Sequence, residues 1–365
     1  MSVSESRFAS GFALAADWHL ALDTCIERLA LPAGANLGFC YWSDHFNAEV
    51  EAILQALQAR TGVTHWVGAS ALGLIGREGA QLDAPGISLL IAQLPPDSFR
   101  VFSGRAPLPN AREFAAHSAI VHADPATPDM PDLVRDMAGK LSGLHLSGGM
   151  ASGRDGNLLI ADAAFTGGLC GVAFDRRIAI LGELSQGCRQ LGPARVATEV
   201  EDNLIGRLDG RRSVAVFRDA VSPLYRDDLR RAARGVQLAL SDEADPRHYT
   251  VRHIIGIDPN GGRLAIDDLA EEGQQVFFVR RDAESATHDL DTMLQALRER
   301  CPSAPRAALY VSCTGRGGSL FERDDSELEA IQRVFGNIPL AGFFASGELL
   351  GERLYGYTGV LTLFC

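Results

Sequence analysis

A unit that recurs within one chain restricts the fold more than any composition figure, and this chain carries such a unit. Near the N-terminus, LGFCYWSDHF, NAEVEAILQALQARTG and VTHWVGASALGLIGREGAQLDAPGISLLIAQ read as strand, helix, strand, glycine-marked reversal and strand. Near the C-terminus, AALYVSCTGRGG, DDSELEAIQRVFG and IPLAGFFASGELLGERLYGYTGVLTLFC give the same order. Gly68 and Gly73 in the first copy, and Gly342 and Gly347 in the last, share one spacing, and each pair precedes an apolar strand with its own glycine, Gly86 or Gly359. Between them AIVHAD, MPDLVRDMAGKLSG and LHLSGGMASGRDGNLLIADAAFTGGLCGVAF make a looser third copy, with Gly148 and Gly153 at the same spacing and Gly171 in its second strand. For this copy, chance similarity among glycine-rich hairpins is the alternative.

In the last copy Ser326 and Glu329 have the S-x-x-E spacing of a capping box. Leu328, Ile331, Val334 and Phe335 then fall on one face, and Gly336 ends the helix. The first copy places Val50, Ile53, Leu54 and Leu57 alike before Gly62, so both helices are expected to lie on a sheet. The polar turn Asp209-Gly210 and a helix start at Pro223 mark a boundary near LDGRRSVAVFRDAVSPLY. Beyond it the chain reads as helix (PLYRDDLRRAARGVQLAL), strand (HYTVRHIIGID), turn (PNGG), strand (RLAI), strand (QQVFFVRR) and helix (DLDTMLQALRER). The order predicts a mixed α/β (α+β) fold with internal strand-helix-glycine hairpin repeats. Two related domains with largely antiparallel or mixed sheets covered by helices are expected.

Length agrees, since 365 residues exceed the ~250–300 at which a single core usually stops growing. A content of 46% apolar and 22% charged residues describes a soluble globular chain without the ~18 consecutive apolar residues of a membrane span. A net charge of -12 disfavours nucleic acid and anionic membrane as partners, because both require a basic face. Seven cysteines without a C-x-x-C pair, and an N-terminus lacking a basic segment before a long apolar run, predict a reducing, cytoplasmic location.

The stretch VSCTGRGGSLFERDDSELEAI concentrates the chemistry. Cys313 ends a strand, and the amides of Thr314, Gly315, Arg316, Gly317 and Gly318 have the makings of an anion nest. Arg316 adds a planar fork of donors for a carboxylate or phosphate. Glu348, directly after the pair Gly342 and Gly347, offers an acceptor for a ligand ammonium or for Arg316, so Arg316 and Glu348 have both poles that an amino acid requires. The competing reading is a glycine turn with a solvated arginine, a buried thiol and an exposed acid. Ser70, Ser152 and Arg154 are weaker candidates near the equivalent glycine pairs, Arg154 matching Arg316. No catalytic residue, metal site or cofactor is assigned. The P-loop lysine is missing because Leu74 follows Gly73, and the G-x-S-x-G elbow is broken at Leu72. The pairs His117/His122 and His248/His253 suit neither a helical i,i+4 pair nor one strand face, so core or surface histidine is the better reading.

SCTGRGG, PLAGFFASGEL and RLYGYTGVLTLF resemble the C-terminal FIST domain, and VGASALGLIG, GGMASG and GGLCGVAF resemble the N-terminal FIST domain. The likeness runs from about Leu37 to Phe364. It divides the chain into an N-terminal segment (1–36), a FIST N-like domain (37–217) and a FIST C-like domain (218–365). It implies a small-ligand-binding sensory module for compounds such as amino acids, of a family found alone or joined to signalling output domains and F-boxes. With no stretch left for such an output, a separate signalling protein is the expected partner. The resemblance also favours the ligand-contacting reading of the Cys313 to Gly317 loop. Some bacterial members resemble haem-based nitric oxide sensors, but this chain has Tyr355 and Tyr357 where many relatives carry a histidine. A different class of reading makes Cys313 the nucleophile of an acyl-transfer or hydrolytic enzyme, since neighbouring amides lower a thiol pKa and stabilise an oxyanion.

Overall fold

The computed structural model describes residues 7–143, 145–154, 156–225, 228–241 and 249–365. The chain opens with β1 (Arg7–Leu14) and α1 (Trp18–Glu27), whose first turn is capped by the Asp17 side chain accepting from the Leu20 amide. The first copy follows as β2 (Leu37–Ser43), α2 (Val50–Thr61), β3 (His65–Ala71), the hairpin β4 (Gly73–Gly76) and β5 (Gly79–Leu82), and β6 (Gly86–Gln93). After β7 (Phe99–Phe102), the second copy is β8 (Ser118–Ala123), α3 (Met130–Gly139), β9 (His145–Met150), the hairpin β10 (Leu159–Ala161) and β11 (Ala164–Phe165), and β12 (Leu169–Phe174). Strand β13 (Ile180–Ser185) comes next.

A different series intervenes: β14 (Cys188–Glu201), β15 (Leu204–Leu208), β16 (Arg211–Arg212), α4 (Ser213–Tyr225), α5 (Leu229–Gly235), β17 (Val236–Ser241), β18 (Thr250–Asp258), β19 (Arg263–Ile266), β20 (Gln275–Arg281) and α6 (Ala283–Arg300). The last copy completes the chain as β21 (Ala307–Cys313), α7 (Gly317–Leu320), α8 (Ser326–Phe335), β22 (Leu340–Ala345), the hairpin β23 (Glu348–Leu350) and β24 (Arg353–Tyr355), and β25 (Gly359–Phe364).

The fold is mixed α/β, and the looser middle copy is a structural repeat like the other two. In every copy the first strand pairs in parallel with the strand after the helix and antiparallel with the last strand: β2 with β3 and β6, β8 with β9 and β12, β21 with β22 and β25. The hairpin of each copy leaves its own sheet. That of the first pairs with β22, that of the second with β3, and that of the third with β9. Three six-stranded sheets result, each assembled from two copies and edged by β1, β7 or β13.

The first glycine of each pair has one structural cause. Gly68, Gly148 and Gly342 face Cys40, Val121 and Tyr310 across the parallel strands, where a Cβ would lie 1.8, 1.9 and 1.8 Å from the facing carbonyl oxygen. No side chain fits there, so glycine sets the approach of the two backbones. The second-strand glycines hold no common register, because Cys40, Val121 and Tyr310 face Leu89, Gly171 and Leu361 respectively.

Strand alternation divides the side chains between cores. Leu37, Phe39 and Tyr41 of β2 join Leu309, Val311 and Phe343 in one cluster fed by all three copies, while Cys40 and Trp42 face the helices α1 and α2. Helix α2 buries the expected Val50, Ile53, Leu54 and Leu57, and Gly62 caps it in the left-handed region. The capping box expected at Ser326 does not form. Asp325 is the N-cap, the Ser326 hydroxyl accepts from the Arg323 amide, and Glu329 is drawn outward to the Arg323 guanidinium at 2.6 Å.

The chain divides into one unit of Met1–Gln186 with Leu290–Cys365, which holds all three copies, and a second of Gly187–Asp289. In the second, β14 pairs with both β20 and β15, closing an antiparallel ring β14-β20-β17-β18-β19-β15 with β16 attached. Phe217 and Val221 of α4 and Ala232 of α5 pack with Leu238 and Phe278 of this ring. The single helix expected over PLYRDDLRRAARGVQLAL is instead the end of α4, with Pro223 inside it, then α5 and then a strand; residues 226 and 227 lie outside the described ones. Val236, Leu238 and Leu240 pack on one face of β17 and Ala239 on the other, a two-sided burial that a short apolar run cannot distinguish from a helix. Among the described residues no helix is long and apolar enough to cross a membrane.

Candidate functional site

The loop from Cys313 to Gly318 follows β21 and packs against the hairpin β23–β24 and the start of β25. Cys313 is 6% exposed, and its amide donates to Thr358 O. Arg316 is fully buried, a placement a guanidinium tolerates only when paired and hydrogen-bonded. Its partner is Glu327 of α8: Nε and Nη2 donate to Oε1 at 2.9 and 2.7 Å. Nη1 donates to Ser185 O at 3.1 Å and Nη2 to Ser185 Oγ at 3.2 Å. Tyr310 and Ser312, on the outer face of β21, each donate to Glu327 at 2.6 Å. The carboxylate is thereby saturated within the chain.

The loop amides are also engaged. Thr314 N donates to Ala345 O, Arg316 N to Cys313 O, and Gly318 N to Asp324 Oδ1 at 2.7 Å. The other Asp324 oxygen accepts from the Leu82 amide, so an internal carboxylate sits where an anion was expected. Gly315 is covered by Tyr357, whose ring lies 2.9 Å from where a Cβ would stand. Tyr357 holds a positive φ of 62° while remaining 39% exposed, a strained conformation for a non-glycine residue.

Glu348 is fully buried at the start of β23. Its Oε2 accepts from the Thr358 amide at 3.0 Å and the Thr358 hydroxyl at 2.8 Å. Burial pushes its carboxyl up to about 8, against the pull of Thr358, the Arg316 charge and the Cys313 thiol. Among the described residues Oε1 meets no donor within normal hydrogen-bond reach. An acceptor shielded from water and left unbonded costs about 1–3 kcal/mol, so it calls for a partner.

The remaining candidates lie apart from this group. Gly342 serves strand approach, and Gly347 makes room for Met150, whose Cε would lie 2.4 Å from a Cβ. Ser70 and Ser152 meet each other, Ser152 N donating to Ser70 O, but their hydroxyls bond backbone: Ser70 Oγ accepts from Leu158 N, and Ser152 Oγ accepts from Leu72 N and donates to Phe344 O. Arg154 is 45% exposed and holds Asp44 with Nε and Nη2 at 2.9 and 3.0 Å, with Asp83 on Nη1. Burial alone would raise the Asp44 carboxyl, but the Arg154 hydrogen bonds and charge outweigh it and hold it below the ordinary range. His122 of the pair His117/His122 is buried against the Tyr41 hydroxyl at 3.1 Å, and His248 lies outside the described residues. Sequence reading missed Glu327, Thr358 and Asp324. The first and last stand in a run, ERDDSELE, that reads as solvated charge.

A model of the FIST N domain matches residues 36–211, and one of the FIST C domain matches 214–350. Similar chains include an uncharacterized protein of Mycobacterium tuberculosis, 29% identical over 335 residues and covering 86% of each chain. Another is an uncharacterized protein of Mycobacterium bovis, 33% identical over 239 residues and covering 61% of each. The repeated strand-helix-strand units and the loop at Cys313 therefore sit in a chain that belongs to the FIST-domain family, whose domains are associated with sensory signal transduction.

Proposed function

We propose that this protein senses a small polar metabolite, an amino acid or related amine, at the Cys313–Glu348 group and passes its occupancy to a separate signalling protein. One observation carries the reading: among the described residues Glu348 Oε1 is a buried acceptor with no donor. A ligand ammonium supplies that donor, with Cys313 and Thr358 as neighbours and entry past the exposed Tyr357. Arg316 holds the loop through Glu327 rather than meeting the ligand, because its Nε and Nη2 both already donate to Glu327 Oε1. Glu348 must lose its proton to meet an ammonium, so affinity is expected to rise up to tenfold per pH unit as pH approaches 8. The test is thermal stabilisation by a panel of amino acids and primary amines between pH 6 and 8. Wild-type protein should respond increasingly with pH, and Glu348→Gln should not respond. If no panel member stabilises the wild type, or if Glu348→Gln responds equally, the site assignment is wrong.

A further inference from the structure

We infer that the Gly187–Asp289 unit carries a small-anion site of its own, in the cleft where β15, β16 and β19 meet, taking a carboxylate or phosphate head on Arg212 and Arg263. The cleft encloses about 390 Å³, within the ~300–1,000 Å³ typical of small-molecule sites. Three guanidiniums line it, those of Arg207, Arg212 and Arg263, against two carboxylates, Glu199 and Asp258. The lining thus carries one more cation than anions in a chain of net charge -12.

The three arginines are not equivalent. Arg207 is fixed, with Nε on Glu199 Oε2 at 2.9 Å and Nη1 on Gly210 O at 2.6 Å. Arg263 is oriented by Glu201 at 3.0 Å, and its Nη2 stands 4.0 Å from Glu199. Among the described residues Arg212 has no carboxylate partner, only a long contact of 3.5 Å from Nη1 to Asn260 O. It is thus a guanidinium without a counter-ion beside two that are held in place, an arrangement that leaves a planar fork for an incoming oxyanion. Two glycines keep the wall open. A Cβ at Gly206 would lie 2.6 Å from Glu199 Oε1, and one at Gly261 would lie 2.2 Å from Asp258 Oδ2. Both acids therefore lie flat over positions with no side chain. They disfavour a bare polyanion and favour a ligand whose anionic head is followed by hydroxyl or ammonium donors.

The experiment is calorimetric titration and thermal shift with two classes of probe, inorganic phosphate and glycerol phosphate on one side and succinate and malate on the other. Chloride at matched ionic strength is the reference. One class is expected to bind and stabilise, which also separates a phosphate from a carboxylate ligand. Arg212→Gln, at an exposed position on a two-residue strand, should weaken that binding at least about tenfold. Glu348→Gln should leave it unchanged, which separates this site from the Cys313–Glu348 reading. The inference is overturned if neither class acts beyond chloride, if Arg212→Gln binds as wild type does, or if Glu348→Gln abolishes the response.

Discussion

Two arginines stand beside glycines at strand ends, Arg316 after the first strand of the last copy and Arg154 after the second strand of the middle one, and the chain treats them in opposite ways. Arg316 is wholly buried and shares Glu327 with Tyr310 and Ser312, while Arg154 stays 45% exposed and spans Asp44 and Asp83. The copies share one pattern of strand pairing, and the polar chemistry at their strand ends differs from place to place. One pair is part of the core and the other is a surface clasp screened by water and salt.

The largest effect is expected from Arg316→Met. It leaves the buried Glu327 carboxyl without its cation and with two hydroxyl partners, at a cost of about 3–5 kcal/mol in urea unfolding. The double variant Arg316→Met/Glu327→Gln should recover much of that loss. A cost near zero for the single variant would erase the distinction between the two arginines.

Next in size is the pH response of Glu348. Its folded carboxyl keeps the proton up to about 8 while the unfolded chain releases it near 4.5, so the folded state binds more protons between those values. Stability is expected to be greatest below 4.5 for this group and to fall as pH rises to 8, by up to about 1.4 kcal/mol per unit. Glu348→Gln should flatten that slope, measured as unfolding free energy across the window, and an unchanged slope would show that the carboxyl is not held protonated.

Removing one hydroxyl from the buried network is a smaller change. Tyr310→Phe and Ser312→Ala should each cost about 1–2 kcal/mol, with clear non-additivity between them because both serve Glu327. Arg154→Gln should have the least effect on stability and show it only at low salt. Asp44→Asn sharpens the contrast on the acid side. The Asp44 carboxyl lies below its ordinary range, so its contribution is present at neutral pH and lost as pH falls through the folded value, a loss the variant should lack.

Much of this molecule is readable from its sequence. The strand-helix-strand unit is legible because glycine marks a physical requirement, the close approach of Gly68, Gly148 and Gly342 to facing carbonyls, and because α2 carries a plain amphipathic stripe. The exchange of hairpins between sheets is not legible, since β4 reads the same whether it pairs with its own copy or with β22. The partner of Arg316 is hidden for a related reason. In the first turn of α8, Glu327 looks like any helix-start acid, and only the packing of α8 on β21 makes it the buried one. Likewise β17 carries an apolar run too short to declare its period.

The hairpin exchange bears on how the chain is made. When synthesis has passed β13, the hairpin β4–β5 has no sheet to join and β9 has an open edge, because β22 and β23 are still to come. Both gaps close only after the last copy leaves the ribosome, across a separation of more than 190 residues for Ser147 and Leu350. Until then the chain exposes strand edges to any neighbour. A second copy of the same chain, stalled at the same point, lacks the same strands and so cannot supply the native pairing in their place.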